Sequence, residues 1–188
     1  MDTRGAIIEH AVRLFAARGY DAIGVQEICE AAGITKPTLY HHFGNKRGLF
    51  DVLIQERCQP FLETLRRAAD YGGDLPRSLH EVTLAYFEFA RREPTLYRLL
   101  LMLWFMRPSD EAFQRVADFN EKQHQLLVEM FQEAAKGHGN MRGRQQAQAA
   151  TLLGTINSYI VMSLRGHVEL NEHLAHQAMH QFSHGIYS

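Results

Sequence analysis

From Gly33 to Arg47 the chain reads Gly-Ile-Thr-Lys-Pro-Thr-Leu-Tyr-His-His-Phe-Gly-Asn-Lys-Arg, an order that admits few folds. Upstream, Val25, Ile28, Ala31 and Ala32 form a short helical stripe, and Gly33 follows the last of them. Glycine adopts the positive φ that ends a helix at little cost, so a helix is expected to stop there. Thr35 is a good N-cap for the next helix, and Pro37 falls in its first turn, where a missing N–H breaks no helical hydrogen bond. Leu39 and Phe43, four apart, anchor that second helix on one face and leave Lys36, Thr38, Tyr40 and His41 on the surface. Two short helices joined by a turn of about three or four residues containing glycine make a helix-turn-helix, whose second helix lies in the major groove of DNA and reads bases with its N-terminal residues.

Charge supports this reading locally. Up to Arg57 seven basic residues meet seven carboxylates, so the segment is neutral. Between Ala31 and Phe50, however, stand three basic residues, two histidines and no carboxylate, a compact surface that phosphate can approach. The footprint is small, so one module binds DNA weakly and two on one duplex are expected.

The remaining composition narrows the fold class to all-α. Of the 188 residues, 46% are hydrophobic and 22% charged, enough to bury a core. Apolar residues recur at three and four almost throughout, and no run of alternating β-branched residues bounded by turns interrupts them. Cys29 and Cys58 lack metal or disulfide spacing, which predicts a reducing, cytoplasmic setting. No basic-then-apolar leader precedes Asp2, and the longest apolar stretch, Leu96 to Met106, contains Arg98 and falls short of the roughly 20 residues of a membrane span. A phosphate-binding glycine loop, an HExxH motif and a nucleophile elbow are all missing, so no enzyme and no cofactor are expected.

Helix boundaries follow from the same signals. A first helix is expected over about Arg4 to Arg18, ended by Gly19. After the two short helices, Asn45 caps a fourth that carries Leu49, Phe50, Leu53 and Ile54 inward and continues past Pro60 toward Ala69. Tyr71 to Pro76 reads as a loop. Helices over about 77–92, 94–106, 109–136, 144–166 and 172–185 follow, separated by Pro94, Pro108 and the stretch Gly137 to Asn140. The expected domains are 1–45 for DNA binding, 46–70 as a connecting helix, and 76–188 for effector binding and dimerisation.

The span from about Ile7 to Ile54 closely resembles the N-terminal domain of TetR-family transcriptional regulators: Leu14-Phe15, Gly19-Tyr20, the turn Ala31-Ala32-Gly33-Ile34-Thr35, the run Thr38 to Phe43 and Asn45-Lys46-Arg47 carry the likeness. The resemblance implies a three-helix DNA-binding domain joined by a fourth helix to an effector-binding bundle, in a homodimer paired through its last two helices. It also implies that Thr35 to Thr38 lie at the start of the recognition helix with Lys36, Pro37 and Thr38 facing bases, that Tyr40 and His41 contact bases or backbone, and that Lys46 binds a phosphate. The last role has independent support, because a helix N-terminus offers unpaired N–H groups to an anion. Gly24 departs from the pattern, in which a threonine or serine caps the second helix and bonds a phosphate.

In the expected effector region, Phe113, Val116, Ala117, Leu127 and Phe131 form one stripe, with Asn120 and His124 inside it. Polar groups on a buried stripe need partners. They project into a cavity to meet a ligand, or they bond neighbouring helices or water. Asn157 sits similarly among Leu153, Ile156, Ile160, Val161 and Leu164. With the aromatic and soft residues Tyr86, Phe89, Met102, Trp104 and Phe105, these polar groups are the candidate ligand site, suited to a small hydrophobic or aromatic molecule, although such material suits a plain core equally. The helix 94–106 is apolar on nearly every face and is expected to be buried.

Ala147, Thr151, Gly154 and Ser158 put small side chains on one line of a later helix, and Met162 extends that face. Another helix can approach closely there, which makes these residues the candidate dimer surface. His173, His176, His180 and His184 share one face of the last helix opposite Leu174, Ala178, Phe182 and Ile186, so they are expected in solvent, and no metal site is assigned. The function expected is a dimeric, DNA-binding regulator that binds a near-palindromic operator and is released by the ligand. Two other readings stay open: a metal-responsive regulator that uses the C-terminal histidines, and a regulator without an effector.

Overall fold

A computed structural model describes residues 3–137 and 141–184. Among them are nine helices and no strand: α1 Thr3–Arg18, α2 Val25–Ala32, α3 Lys36–Phe43, α4 Lys46–Ala68, α5 Leu75–Arg92, α6 Pro94–Trp104, α7 Glu111–Gly137, α8 Gln145–Leu164 and α9 Glu172–His184. The all-α expectation holds, and the boundaries follow the sequence signals. Gly33 closes α2 at φ 65°, the left-handed conformation its position requires, and its backbone N–H donates to Glu30 O. Thr35 caps α3 by accepting from the Thr38 N–H, with Pro37 in the first turn. Asn45 Oδ1 accepts from the Gly48 N–H at 2.8 Å and opens α4, which runs through Pro60 without a break. α5 starts at Leu75, earlier than expected, because Asp74 accepts from the Arg77 N–H and Pro76 suits a first turn. Ile186 and the residues from His138 to Asn140 lie outside the described residues, so the expected end of the last helix and much of that loop go undescribed.

By packing, the chain forms two compact units. The first holds α1, α2, α3, α4 up to Pro60, and the segment Glu93–Asp118, which is α6 and the start of α7. The second holds Phe61–Arg92 and the chain from Phe119 onward. In the first unit α1 lies against both α2 and α6. Its core joins Ile7, Ile8, Ala11, Phe15, Tyr20, Ile28, Leu39, Leu49, Phe50 and Leu53, all buried. Three rings lock the centre: Phe15–Tyr20 at 5.2 Å, Phe15–Phe50 at 5.7 Å and Tyr20–Phe50 at 4.9 Å, each tilted or edge-on as aromatic quadrupoles prefer. Arg57 ties this unit further, pairing with Glu93 at 2.6 Å and Glu9 at 3.6 Å.

In the second unit α5 packs on α8 and α9. Phe61 stacks on Phe89 at 4.5 Å and meets Tyr86 edge-on at 4.9 Å and Phe119 at 6.2 Å. No helix among the described residues is long and apolar enough to cross a membrane.

One expectation about burial fails. Met102 and Trp104 near the end of α6 are 42% and 40% exposed, and Phe105, just beyond it, is 88% exposed. The sequence there is apolar on nearly every face, but α6 stops at Trp104 and buries only the stripe Leu96, Leu99, Leu100 and Leu103 with Tyr97.

Candidate nucleic-acid interface

Burial sorts the residues of α3. Leu39 is fully buried and Phe43 nearly so, and they fix the helix against the first unit's core. Lys36, Pro37, Tyr40, His41 and His42 are exposed, with Tyr40 at 47%. Exposed apolar and aromatic side chains on a short, well-anchored helix are free to meet base edges, sugars or methyl groups. Thr38 is only half exposed, and its Oγ1 lies 3.0 Å from Thr35 Oγ1, so these two hydroxyls already have partners within the turn. His42 also belongs to this surface, its ring 5.4 Å from that of His41.

Lys46 stands at the first turn of α4, where the candidate phosphate anchor was expected. Its ammonium lies 4.0 Å from the centroid of the Tyr20 ring, a cation–π contact that orients the side chain. Partial burial depresses its pKa, offset by the fields of Asp21, Glu111 and Glu27. Gly24 caps α2 in place of a hydroxyl residue: its N–H donates to Glu27 Oε1 at 3.0 Å, and Glu27 also pairs with Arg18. The cap is thus served from inside the helix, and no side chain at position 24 reaches outward.

Sequence reasoning missed three participants. Gly48 lies in the first turn of α4, close to the last residue of α3, and a Cβ there would lie 3.3 Å from the Phe43 carbonyl carbon and collide with its oxygen. Tyr20, counted as a family mark, is the platform for Lys46. Glu111, far along the chain, accepts from the Tyr20 hydroxyl at 3.2 Å and from Arg47. The stretch Ala31 to Phe50 is carboxylate-free in sequence but not in space.

The candidate ligand residues divide between the units. Tyr86 and Phe89 are buried in the second unit's aromatic cluster, and the Tyr86 hydroxyl has no hydrogen-bond partner among protein atoms. Burial pushes its pKa far above the usual phenol value. Met102, Trp104 and Phe105 belong to the first unit and are exposed. On α7 the buried polar residue is Gln123, which donates weakly to Phe119 O and Asn120 Oδ1, each at 3.4 Å. Asn120 and His124 flank it half exposed, and His124 Nε2 lies 2.6 Å from Gln146 Oε1. Asn157 is half exposed as well.

On α8, Ala147, Thr151, Gly154 and Ser158 are all exposed, and Met162 is 40% exposed, while Leu152, Leu153, Ile156 and Ile160 of the same helix are buried. The hydroxyls of Thr151 and Ser158 bond back to Ala147 O and Gly154 O, which leaves a smooth line of small groups. His173, His176, His180 and His184 are exposed, and no cluster of three or more metal-ligating side chains exists among the described residues.

Residues 7–53 match the family described as bacterial regulatory proteins, tetR family. The transcriptional activator FasR of Mycolicibacterium smegmatis is 32% identical over 53% of this chain and 45% of its own length. The transcriptional repressor KstR2 of Mycobacterium tuberculosis is 26% identical over 69% of this chain and 65% of its own. The chain thus spans about half to two thirds of these relatives. Among solved structures, the regulator FadR of Bacillus subtilis in complex with stearoyl-CoA superposes with a TM-score of 0.76 at 20% identity, covering 97% of this chain and 99% of that one. A helix-turn-helix with an exposed, threonine-capped second helix and the family match over that same span agree: residues 7–53 form a tetR-family regulatory domain, and the rest of the chain shares the all-helical fold of the solved regulator.

Proposed function

We propose that the protein is a cytoplasmic, homodimeric transcriptional repressor that binds a near-palindromic DNA operator and leaves it when a hydrophobic ligand enters the second unit. The observation that carries the DNA reading is α3: its apolar residues Leu39 and Phe43 are buried while Lys36, Pro37, Tyr40 and His41 stand free, with Thr35 and Thr38 closing the turn and Lys46 poised at the next helix start. Two such modules on one duplex require pairing of protomers. The exposed small-residue line Ala147, Thr151, Gly154, Ser158 and Met162 supports α8 as the surface that pairs.

The ligand reading rests on Tyr86. A buried phenol without a partner costs roughly 1–3 kcal/mol of desolvation, which a ligand carrying a hydrogen-bond acceptor would recover. Phe61, Phe89 and Phe119 supply the apolar surround, and Asn120, His124 and Asn157 are further polar candidates. A long acyl thioester offers both an apolar tail and an acceptor, and the stearoyl-CoA in the Bacillus subtilis FadR structure makes it the first probe to try. Selection of DNA from a genomic library, followed by titration of stearoyl-CoA into the protein–DNA complex, tests both halves. Release of DNA supports the ligand reading; retention at saturating probe favours a regulator without that effector. Tyr86→Phe should raise the melting temperature, since it removes the orphan hydroxyl, and weaken release by the probe. A variant that melts lower and responds unchanged would remove Tyr86 from the site.

A further inference from the structure

The DNA-facing start of α4 carries two adjacent cations, yet they have different surroundings. Lys46 rests on the Tyr20 ring. Arg47 is drawn to α7, where its Nε donates to Glu111 Oε1, and the same carboxylate accepts from the Tyr20 hydroxyl. One turn further along both helices a second pair repeats the match, Asp51 with Arg115 at 3.4 Å. Arg47 and Asp51 are four apart on α4, and Glu111 and Arg115 are four apart on α7, so the two rungs form a ladder of opposite polarity that fixes which residue of α7 faces Arg47. All of these residues belong to the first unit. Arg47 holds the Glu111 carboxyl below its ordinary pKa, so the acid is ionised at neutral pH.

We propose that Glu111 is a built-in counter-ion that withholds Arg47 from the DNA backbone and so sets how strongly this protein prefers its operator over other DNA. The inference rests on the DNA-binding reading above. Contacts to phosphate carry no sequence information and supply most of non-specific affinity, whereas the α3 surface reads bases. Screening in physiological salt extends over about 8 Å, so a free charge on Arg47 would be felt by any phosphate that its neighbour Lys46 meets. Glu111 cancels that charge, which lowers the background affinity without touching the residues of α3.

The test measures binding to a random-sequence 30-base-pair duplex and to a selected operator between 50 and 200 mM KCl. E111Q keeps an acceptor for Tyr20 but frees Arg47. It should bind the random duplex more tightly, with a salt dependence steeper by up to about 0.9 in log–log slope, so that dilution from 200 to 50 mM gains it about 3.5-fold more than the wild type. Its preference for the operator should fall correspondingly. R47A/E111Q, which removes both charges, should return the random-duplex affinity and slope to the wild-type values, whereas R47A alone leaves the Glu111 carboxylate uncancelled and should bind more weakly. The proposal is overturned if R47A/E111Q binds the random duplex more weakly than the wild type and with a flatter slope, since Arg47 would then already sit on a phosphate, or if a folded E111Q, checked by its melting temperature, binds as the wild type does. Wild-type protein that binds no duplex at 50 mM, or a K46A variant with an unchanged slope, would instead strike the DNA reading beneath it.

Discussion

Gly48→Ala is the sharpest perturbation of the first unit that leaves every proposed contact residue in place. A methyl group at position 48 would sit 3.3 Å from the Phe43 carbonyl carbon and inside contact distance of its oxygen. The obstructing atoms are backbone, so no rotamer change relieves the clash. The end of α3 must move away from the start of α4, and Phe43, only 7% exposed, must move with it. Overpacking of a tight site costs about 1–3 kcal/mol, and loosening the Asn45 cap that receives the Gly48 N–H adds about 1 kcal/mol. A total of about 2–4 kcal/mol corresponds to a fall in melting temperature of roughly 5–15 °C for a chain of this size. DNA binding should weaken at every sequence, since the whole helix is displaced. The control is Gly24→Ala, where the nearest atom to an added Cβ is Glu27 Oε1 at 3.8 Å and φ is −90°: its melting temperature should stay within about 2 °C of wild type. Calorimetry that found Gly48→Ala as stable as this control, with normal DNA affinity, would refute the close approach of Gly48 to the Phe43 carbonyl.

Three further outcomes follow from other parts of the molecule. Lys46→Ala should weaken binding to all duplexes alike and reduce the log–log salt slope by about 0.9, whereas Tyr40→Ala should change the preferred sequence; equal loss at all sequences for both variants would contradict the division of labour. Gly154→Leu has open space around it within one protomer, so the folded monomer should survive while sedimentation shows the dimer lost; a dimer that persists would exclude α8 from the pairing surface. Burial pushes the Cys58 thiol up to about 12 from an ordinary 9.0. The unfolded thiol therefore ionises first, and stability fully present below pH 9 should drain as pH rises toward 12. A Cys58→Ala variant should show a shallower loss over that window in urea titrations, and an identical loss would assign the effect to other groups.

What was legible in the sequence was local. Gly33, Thr35, Pro37 and Asn45 act on backbone groups within a turn of themselves, so their roles could be read from spacing and are found at those positions. The burial of Leu39 and Phe43 followed from their separation by four. On α7 the reading slipped by about one residue: Gln123 is buried and His124 is not, because 27 residues of helix give ample room for a small error in the assumed face. The end of α6 misled differently, since apolar composition says nothing about whether a helix has neighbours on all sides. Glu111 and Tyr20 could not be paired from sequence at all; their contact depends on the start of α7 belonging to the first unit, and no periodicity records it.

The central claim is that two copies of α3 read one duplex together. Footprinting on DNA selected by the protein, with the stoichiometry of the complex measured by sedimentation, tests it most directly. The expected result is two protomers on a near-palindrome whose half-sites lie one helical turn, about 34 Å, or a multiple of it apart. A single unsymmetrical site occupied by one protomer, or selection that returns no shared sequence, would contradict it.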